Sequence, residues 1–189
     1  MKIAVLGGSF DPPHIGHYLL VKQIAEIRQD IDKILLMPAY KHQWKPIQAS
    51  AKDRLVMLEC LAEERIKISD MEIRKKSGKY TIDTIRNLKG QIDADIYWIV
   101  GSDILSEWER WDKKEGLPDL AKFLVFPRES FKMPEKLPDG FEAVGGSDFI
   151  TTNISSTIIR QRVKTGKSIK YLVPEEVEEY IRKKSLYVS

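Results

Sequence analysis

A chain of 189 residues is long enough to bury a substantial core, as one domain or one domain with a small appendage. With 42% hydrophobic and 31% charged residues it has the composition of an ordinary soluble globular protein, and no apolar stretch approaches signal-peptide-core or transmembrane length. The formal charge of +3, with Lys and Arg dispersed among 28 acids, gives no case for nucleic-acid binding, and a single cysteine excludes an internal disulfide and fits a reducing, cytoplasmic setting.

Short apolar strands alternate with helical patterns along the chain. "KIAVLG" (2–7) reads as a buried strand, and Leu20, Ile24, Ile27 and Ile31 then recur at helical spacing. "KILLMP" (33–38) is a second strand, stopped by proline. "SAKDRLVMLECLA" (50–62) opens with Ser50 three residues before Asp53, as a capping box does, and places Leu55, Leu58, Leu61 and Ala62 on one face. Cys60 falls inside this pattern as a small core residue. "RIKIS" (65–69) alternates as a third strand, and "YTIDTIRNL" (80–88) starts a helix at Thr81. "DIYWIVGSD" (95–103) is a strong central strand and "KFLVFPR" (122–128) another.

Beyond Arg128 the pattern weakens into a proline-bearing loop, with a short strand at Phe141–Val144. "ISSTIIRQRVKTG" (154–166) is a capped helix ended by glycine, and "PEEVEEYIRKK" (174–184) has proline at its first helical position and acids in its first turn. There is no internal repeat and no linker that divides the chain. The expected organisation is one α/β domain over 1–189, a parallel sheet with helices on both faces, and a helical C-terminal portion at about 154–189.

The chemistry concentrates in "GGSFDPPHIGH" (7–17), at the handover from the first strand to the first helix. Ligands bind such sheets beyond the carboxyl ends of the strands. Gly7 and Gly8 allow a close approach to the backbone, Pro12 and Pro13 stiffen the return, and the helix start offers free N–H groups suited to phosphate. His14 and His17, two of three histidines in the chain, lie three residues apart on one helical face, and Gly16 leaves room between them. The helix dipole is expected to lower both imidazole pKa values in the empty protein, and a bound polyphosphate to restore the protonated form. Their expected role is to donate to developing charge. A metal site of both histidines with Asp11 is the bland alternative, but it lacks a third clear ligand of the zinc type. The spaced third glycine of a dinucleotide fingerprint is missing.

"GGSFDPPHIGH" resembles the His-x-Gly-His signature of the nucleotidyltransferase superfamily, and the chain as a whole resembles its bacterial nicotinate mononucleotide adenylyltransferases. "KYTIDT" (79–84), "GSDILSEWERW" (101–111), "ISSTIIRQRV" (154–163) and "YLVPEEVEEYI" (171–181) are similar to further family segments, in the family's order. The resemblance implies a Rossmann-like, doubly wound nucleotidyltransferase fold. It implies AMP transfer from ATP to the 5′-phosphate of nicotinate mononucleotide, with Mg²⁺ held mainly by the ATP phosphates and not by protein side chains. ATP and the mononucleotide are the implied partners, without nucleic acid or membrane, and a homo-oligomer is compatible with it.

By the same resemblance His14, His17 and Arg160 would act on the triphosphate, with Gly7, Gly8, Ser9 and Phe10 lining the nucleotide site. Ile154, Ser155 and Ser156 would add contacts at a helix start, and Gly101 and Asp103 would meet the adenosine part. Tyr80, Thr81 and Trp111 would receive the pyridine end and Lys45 the mononucleotide phosphate. Plainer roles stand beside these: a helix cap for Ser155, Ser156 or Asp103, a solvated Arg160, a core position for Trp111 with Trp108 as the competing aromatic. "YKHQWKP" (40–46) departs from the family's Pro-Pro-His-Lys, so Lys41 and His42 share the candidacy of Lys45. Nicotinamide mononucleotide or phosphopantetheine as acceptor, a cytidylyltransferase, or a nucleotide sensor without turnover are the competing readings.

Overall fold

Six parallel strands in the order β3-β2-β1-β4-β5-β6 form the centre of the protein. The computed structural model describes residues 1–41, 46–76, 80–111, 114–128, 131 and 133–188. The strands are β1 (Lys2–Gly8), β2 (Lys33–Pro38), β3 (Ile66–Ile68), β4 (Asp95–Gly101), β5 (Lys122–Phe126) and β6 (Phe141–Ala143). The helices are α1 (Ile15–Ile27), α2 (Ala51–Leu58), α3 (Met71–Lys75), α4 (Thr81–Lys89), α5 (Asp103–Glu107), α6 (Ser156–Lys164) and α7 (Glu175–Lys184).

Because side chains alternate along a strand, β1, β2, β4 and β5 each feed two cores. Ala4, Leu6, Ile34, Leu36, Ile99 and Leu124 pack with Leu20, Val21 and Ile24 of α1 and Leu58 of α2 on one face. Ile3, Val5, Trp98, Val100, Phe123 and Val125 pack with Ile82, Ile85 and Leu88 of α4 on the other. Each of these large side chains contributes about 1.5–3 kcal/mol by leaving water. A third cluster joins α6 and α7 to α2 through Met57, Ile159, Val173, Val177, Ile181 and Tyr187. The strand order reverses between β1 and β4, which opens a crevice at their carboxyl ends.

The sequence pattern overextends α1. Its helix stops at Ile27, which is 48% exposed, while Ile31 is fully buried after the helix has ended. The reason is Arg65, whose guanidinium donates to the carbonyls of Ala25, Arg28 and Ile31 and turns the chain there. In α2 the buried face is Arg54, Met57 and Leu58, with Leu55 only half-buried, and a 3-10 turn at Glu59–Leu61 replaces the helix at Cys60. Burial pushes the Cys60 thiol up to about 11, and its Sγ donates to the Met57 carbonyl. Pro174 caps α7 from outside in place of starting it, and Gly166 ends the α6 segment at a φ of +65°, where a side chain would be strained. The five-residue helices α3 and α5 are too short to show a periodicity.

Arg54 is 1% exposed, and its Nη1 donates to the carbonyls of Ser9 and Ala39 at 2.8 Å each. One buried cation therefore ties the chain leaving β1 to the chain leaving β2. Arg54→Met should lower the unfolding free energy by about 3 kcal/mol, read from urea titration, because two inward carbonyls lose a charged donor.

Candidate functional site

The bend from β1 into α1 is shaped before any ligand arrives. A Cβ on Gly7 would lie 2.9 Å from the Trp98 ring, so this glycine serves the packing of β1 against β4. Phe10 follows at a φ of +47° with its ring fully buried, 4.8 Å from that of His17. Anything Phe10 offers a nucleotide therefore comes from its main chain. Ser9 and Gly8 carry the chain to this point, with the Ser9 carbonyl held by Arg54 and that of Gly8 accepting from the Ala39 amide at 2.8 Å.

His14 is the cap residue in front of α1 and His17 lies in its first turn, so the two are not both on the helix. Their rings nevertheless meet, with centroids 3.7 Å apart and planes 30° from parallel. The His14 amide donates to His17 Nδ1 at 3.2 Å, which leaves the His17 ring proton on Nε2 as a donor. A Cβ on Gly16 would come within 3.0 Å of both the His14 ring and the Thr152 methyl, so a side chain here would press on the histidine pair.

Both imidazoles are held neutral. Burial pushes His14 down to about 4, and the charge of Arg128 adds to it. Burial also holds His17 well below the ordinary histidine value, with the neighbouring His14 and Arg128 contributing further. Desolvation is thus the main cause, where the sequence alone suggested the helix dipole. An arriving polyphosphate brings the opposite charge and moves both rings back toward protonation.

Arg160, from α6, reaches the same bend: its Nη1 donates to the Asp11 carbonyl at 2.6 Å and its Nη2 to Thr157 Oγ1 at 3.3 Å. Ser155 caps α6 by accepting from the Ile158 amide, whereas Ser156 donates to the Pro12 carbonyl at 2.8 Å. The two adjacent serines thus divide between capping a helix and gripping the bend. Ile154 is half-buried just ahead of them, against the C-terminal cluster.

At the end of β4, a Cβ on Gly101 would sit 2.3 Å from Asp103 Oδ1 and 2.8 Å from Arg128 Nε. The glycine lets these two side chains fold over the backbone, where Arg128 Nη1 lies 3.5 Å from Asp103 Oδ2. Asp103 is also the first residue of α5 and does not cap it. Arg128, which no motif singled out, follows β5 and brings a positive charge toward the histidines; its place at a strand's carboxyl end was the available signal.

A second group lies against the sheet face covered by α4. Tyr80 is the cap residue of α4, Thr81 its first residue, and Tyr80 packs against the apolar cluster there. Trp111 stands 5.4 Å from Trp108 and 6.2 Å from Phe123. Trp108 makes the closer edge contacts, 5.4 Å to Phe123 and 4.8 Å to Phe141, and so is the core member of the pair. Buried Glu72 accepts from Thr84 Oγ1 at 2.6 Å and from the Tyr40 amide at 3.4 Å, which links α4 to the segment after β2. His42, Trp44 and Lys45 of that segment lie outside the described residues.

Among the described residues no group of three or more His, Cys, Asp or Glu side chains comes together as a metal site, and no helix is long and apolar enough to cross a membrane. Asp11 is turned to other use: its carboxylate accepts from the Gln48 and Ala49 amides and from the Tyr187 hydroxyl.

The cytidylyltransferase-like family model matches residues 5–162. The probable nicotinate-nucleotide adenylyltransferase of Synechococcus sp. (strain JA-3-3Ab) is 38% identical over 99% of this chain and 95% of its own. That of Opitutus terrae is also 38% identical, over 99% of this chain and 98% of its own. The solved Plasmodium falciparum nicotinic acid mononucleotide adenylyltransferase complexed with NaAD shares the fold with a TM-score of 0.84, at 23% identity over 98% of this chain and 97% of that one.

The buried imidazoles give this site a pH signature. An unfolded histidine takes up its proton near pH 6.5 whereas folded His14 resists until about 4, so stability is full above 6.5 and falls as pH drops through that window. Urea titrations between pH 7 and 4 should show this fall, and His14→Gln should flatten it. Ring-proton NMR should find both imidazoles of the empty protein neutral at pH 6.

Proposed function

Since the chain belongs to the cytidylyltransferase-like family, and within it to the nicotinate-nucleotide adenylyltransferases, we propose that it transfers AMP from ATP to the 5′-phosphate of nicotinate mononucleotide. The observation that carries this reading is the pair of neutral imidazoles, 3.7 Å apart at the start of α1, with Arg160 on the same bend and Arg128 near.

The chemistry asks little of the protein by way of bases. A phosphate monoester has a second pKa of about 6, so the acceptor is already an anionic nucleophile at neutral pH. One of its oxygens attacks the α-phosphorus of ATP, a P–O bond forms, and the bond to the bridging oxygen breaks with its electron pair leaving on pyrophosphate. The protein's tasks are alignment and stabilisation of the charge that gathers on the leaving group.

His17, with its proton on Nε2, donates to that developing charge, and His14 shares the load from the cap position. Arg160 supplies a fixed positive charge, and the positive end of the α1 dipole adds to it. Ser155, Ser156 and Ile154 border the triphosphate, while Gly8, Ser9 and the Phe10 backbone line the nucleotide. Gly101 and Asp103 hold the adenosine part. Mg²⁺ carried by the ATP phosphates would supply further neutralisation of the leaving group. The Asp11 carboxylate, on the same bend as the histidines, is already engaged by three hydrogen-bond donors.

At the acceptor end, the start of α4 at Tyr80 and Thr81 favours a nicotinate carboxylate over a neutral amide, because helix amides and dipole both reward negative charge. Trp111 receives the pyridine ring, and Lys45 the mononucleotide phosphate. The setting for this chemistry is the cytoplasm.

Pyrophosphate release with ATP should be rapid with nicotinate mononucleotide and weaker with nicotinamide mononucleotide; no release with either would overturn the assignment. His17→Ala should lower kcat about 100-fold with a smaller change in ATP affinity, since its contact strengthens in the transition state. Trp111→Ala should raise the mononucleotide KM about tenfold and leave the ATP KM unchanged, the difference expected for one lost aromatic contact.

A further inference from the structure

We infer that Tyr187, near the C-terminal end of the chain, is a positioning residue that keeps Arg160 available to ATP by occupying the Asp11 carboxylate. Tyr187 is 6% exposed and Asp11 1%, and the phenol donates to Asp11 Oδ1 at 2.8 Å across 176 residues of sequence. The Ala49 amide donates to the same oxygen at 3.0 Å, and the Gln48 amide to Oδ2 at 2.7 Å. Three donors without formal charge thus satisfy a buried carboxylate. Arg160, whose Nη1 stops 4.0 Å from Oδ2, bonds to the Asp11 carbonyl instead.

That arrangement is unusual for a buried acid beside a guanidinium, because a bidentate pair is the ordinary outcome when the two can meet. Here the Gln48 and Ala49 amides, one on each oxygen, fix the rotation of the carboxylate, and the hydroxyl takes a further lone pair on Oδ1 and draws off part of the charge that would attract Arg160. Without the hydroxyl, the carboxylate has one donor fewer and attracts the guanidinium directly. Arg160 then lies in a close ion pair with Asp11 and is withdrawn from a polyphosphate at the bend. The backbone at Tyr187 adopts a φ of +65°, a conformation that a residue with a side chain enters only when its surroundings demand it. The surroundings here are the third apolar cluster and the Asp11 carboxylate.

The inference rests on the proposed contact of Arg160 with the triphosphate, and the test separates the two. Pyrophosphate release is measured with ATP and nicotinate mononucleotide for the full chain, Tyr187→Phe, Arg160→Ala and the double variant. Tyr187→Phe should raise the ATP KM about fivefold, as loss of one buried hydrogen bond allows, with the mononucleotide KM unchanged. In the Arg160→Ala background it should add nothing. A general loosening of the fold would raise both KM values and would multiply with Arg160→Ala, and that result overturns the inference. Unchanged ATP kinetics in Tyr187→Phe, with a defect in Arg160→Ala, overturns it as well. If Arg160→Ala itself leaves kcat and the ATP KM intact, the role assigned to Arg160 fails, and the inference with it. Adding Asp11→Asn to Tyr187→Phe removes the charge that captures Arg160 and should bring the ATP KM back toward its starting value; an uncorrected KM counts against the mechanism.

Discussion

The turn between β1 and α1 keeps its shape because its polar groups are answered from distant parts of the chain. Arg54 takes the Ser9 carbonyl, Arg160 that of Asp11, and Ser156 that of Pro12, while the Leu172 carbonyl accepts from the Ile15 amide. A segment with two glycines and two prolines has few internal hydrogen bonds to stabilise it. Left alone in a buried setting, its carbonyls would each carry the penalty of an unmet polar group. The partners come from α2, from α6 and from Leu172 in the segment ahead of α7.

Once the bend is fixed, the electrostatics follow. Two imidazoles pressed together, His14 buried and His17 half-buried, stay uncharged, so the site does not accumulate repulsion between neighbouring cations. The positive charge near the bend is carried by Arg128 and Arg160. On the proposed function this division would suit a polyanion, with permanent charges attracting it and adjustable ones responding once solvent has been displaced. The apolar cores on both faces of the sheet make the platform stiff enough for a 3.7 Å ring contact to be maintained.

Much of this was readable along the chain. Parallel strands buried on both faces appear as uninterrupted apolar runs, so β1, β2, β4 and β5 stood out with nearly their observed limits. Ser50 and Ser155 were legible as caps because capping is local, with the accepted amide only three residues away in each case. Ile31 misled because it continues the spacing of α1, and nothing nearby announces that Arg65 will end the helix from across the fold. The histidine pair was visible for the same reason as the caps. Arg54, Asp11 and Tyr187 were not, since a buried charge is recognised by its partners, and theirs lie 15 to 176 positions away. Arg54 even occupies a core position in α2 that an apolar pattern would skip.

The contact between Tyr187 and Asp11 also has a temporal side. Loop closure over so many residues is entropically late, and a nascent polypeptide cannot make this contact until the 176 residues that follow Asp11 have emerged. The sheet and α1 are complete long before that moment. The bend therefore gains this buried donor after the sheet has been synthesised, and a chain cut short before this tyrosine would retain a recognisable Rossmann-like body whose β1–α1 corner lacks one of its partners.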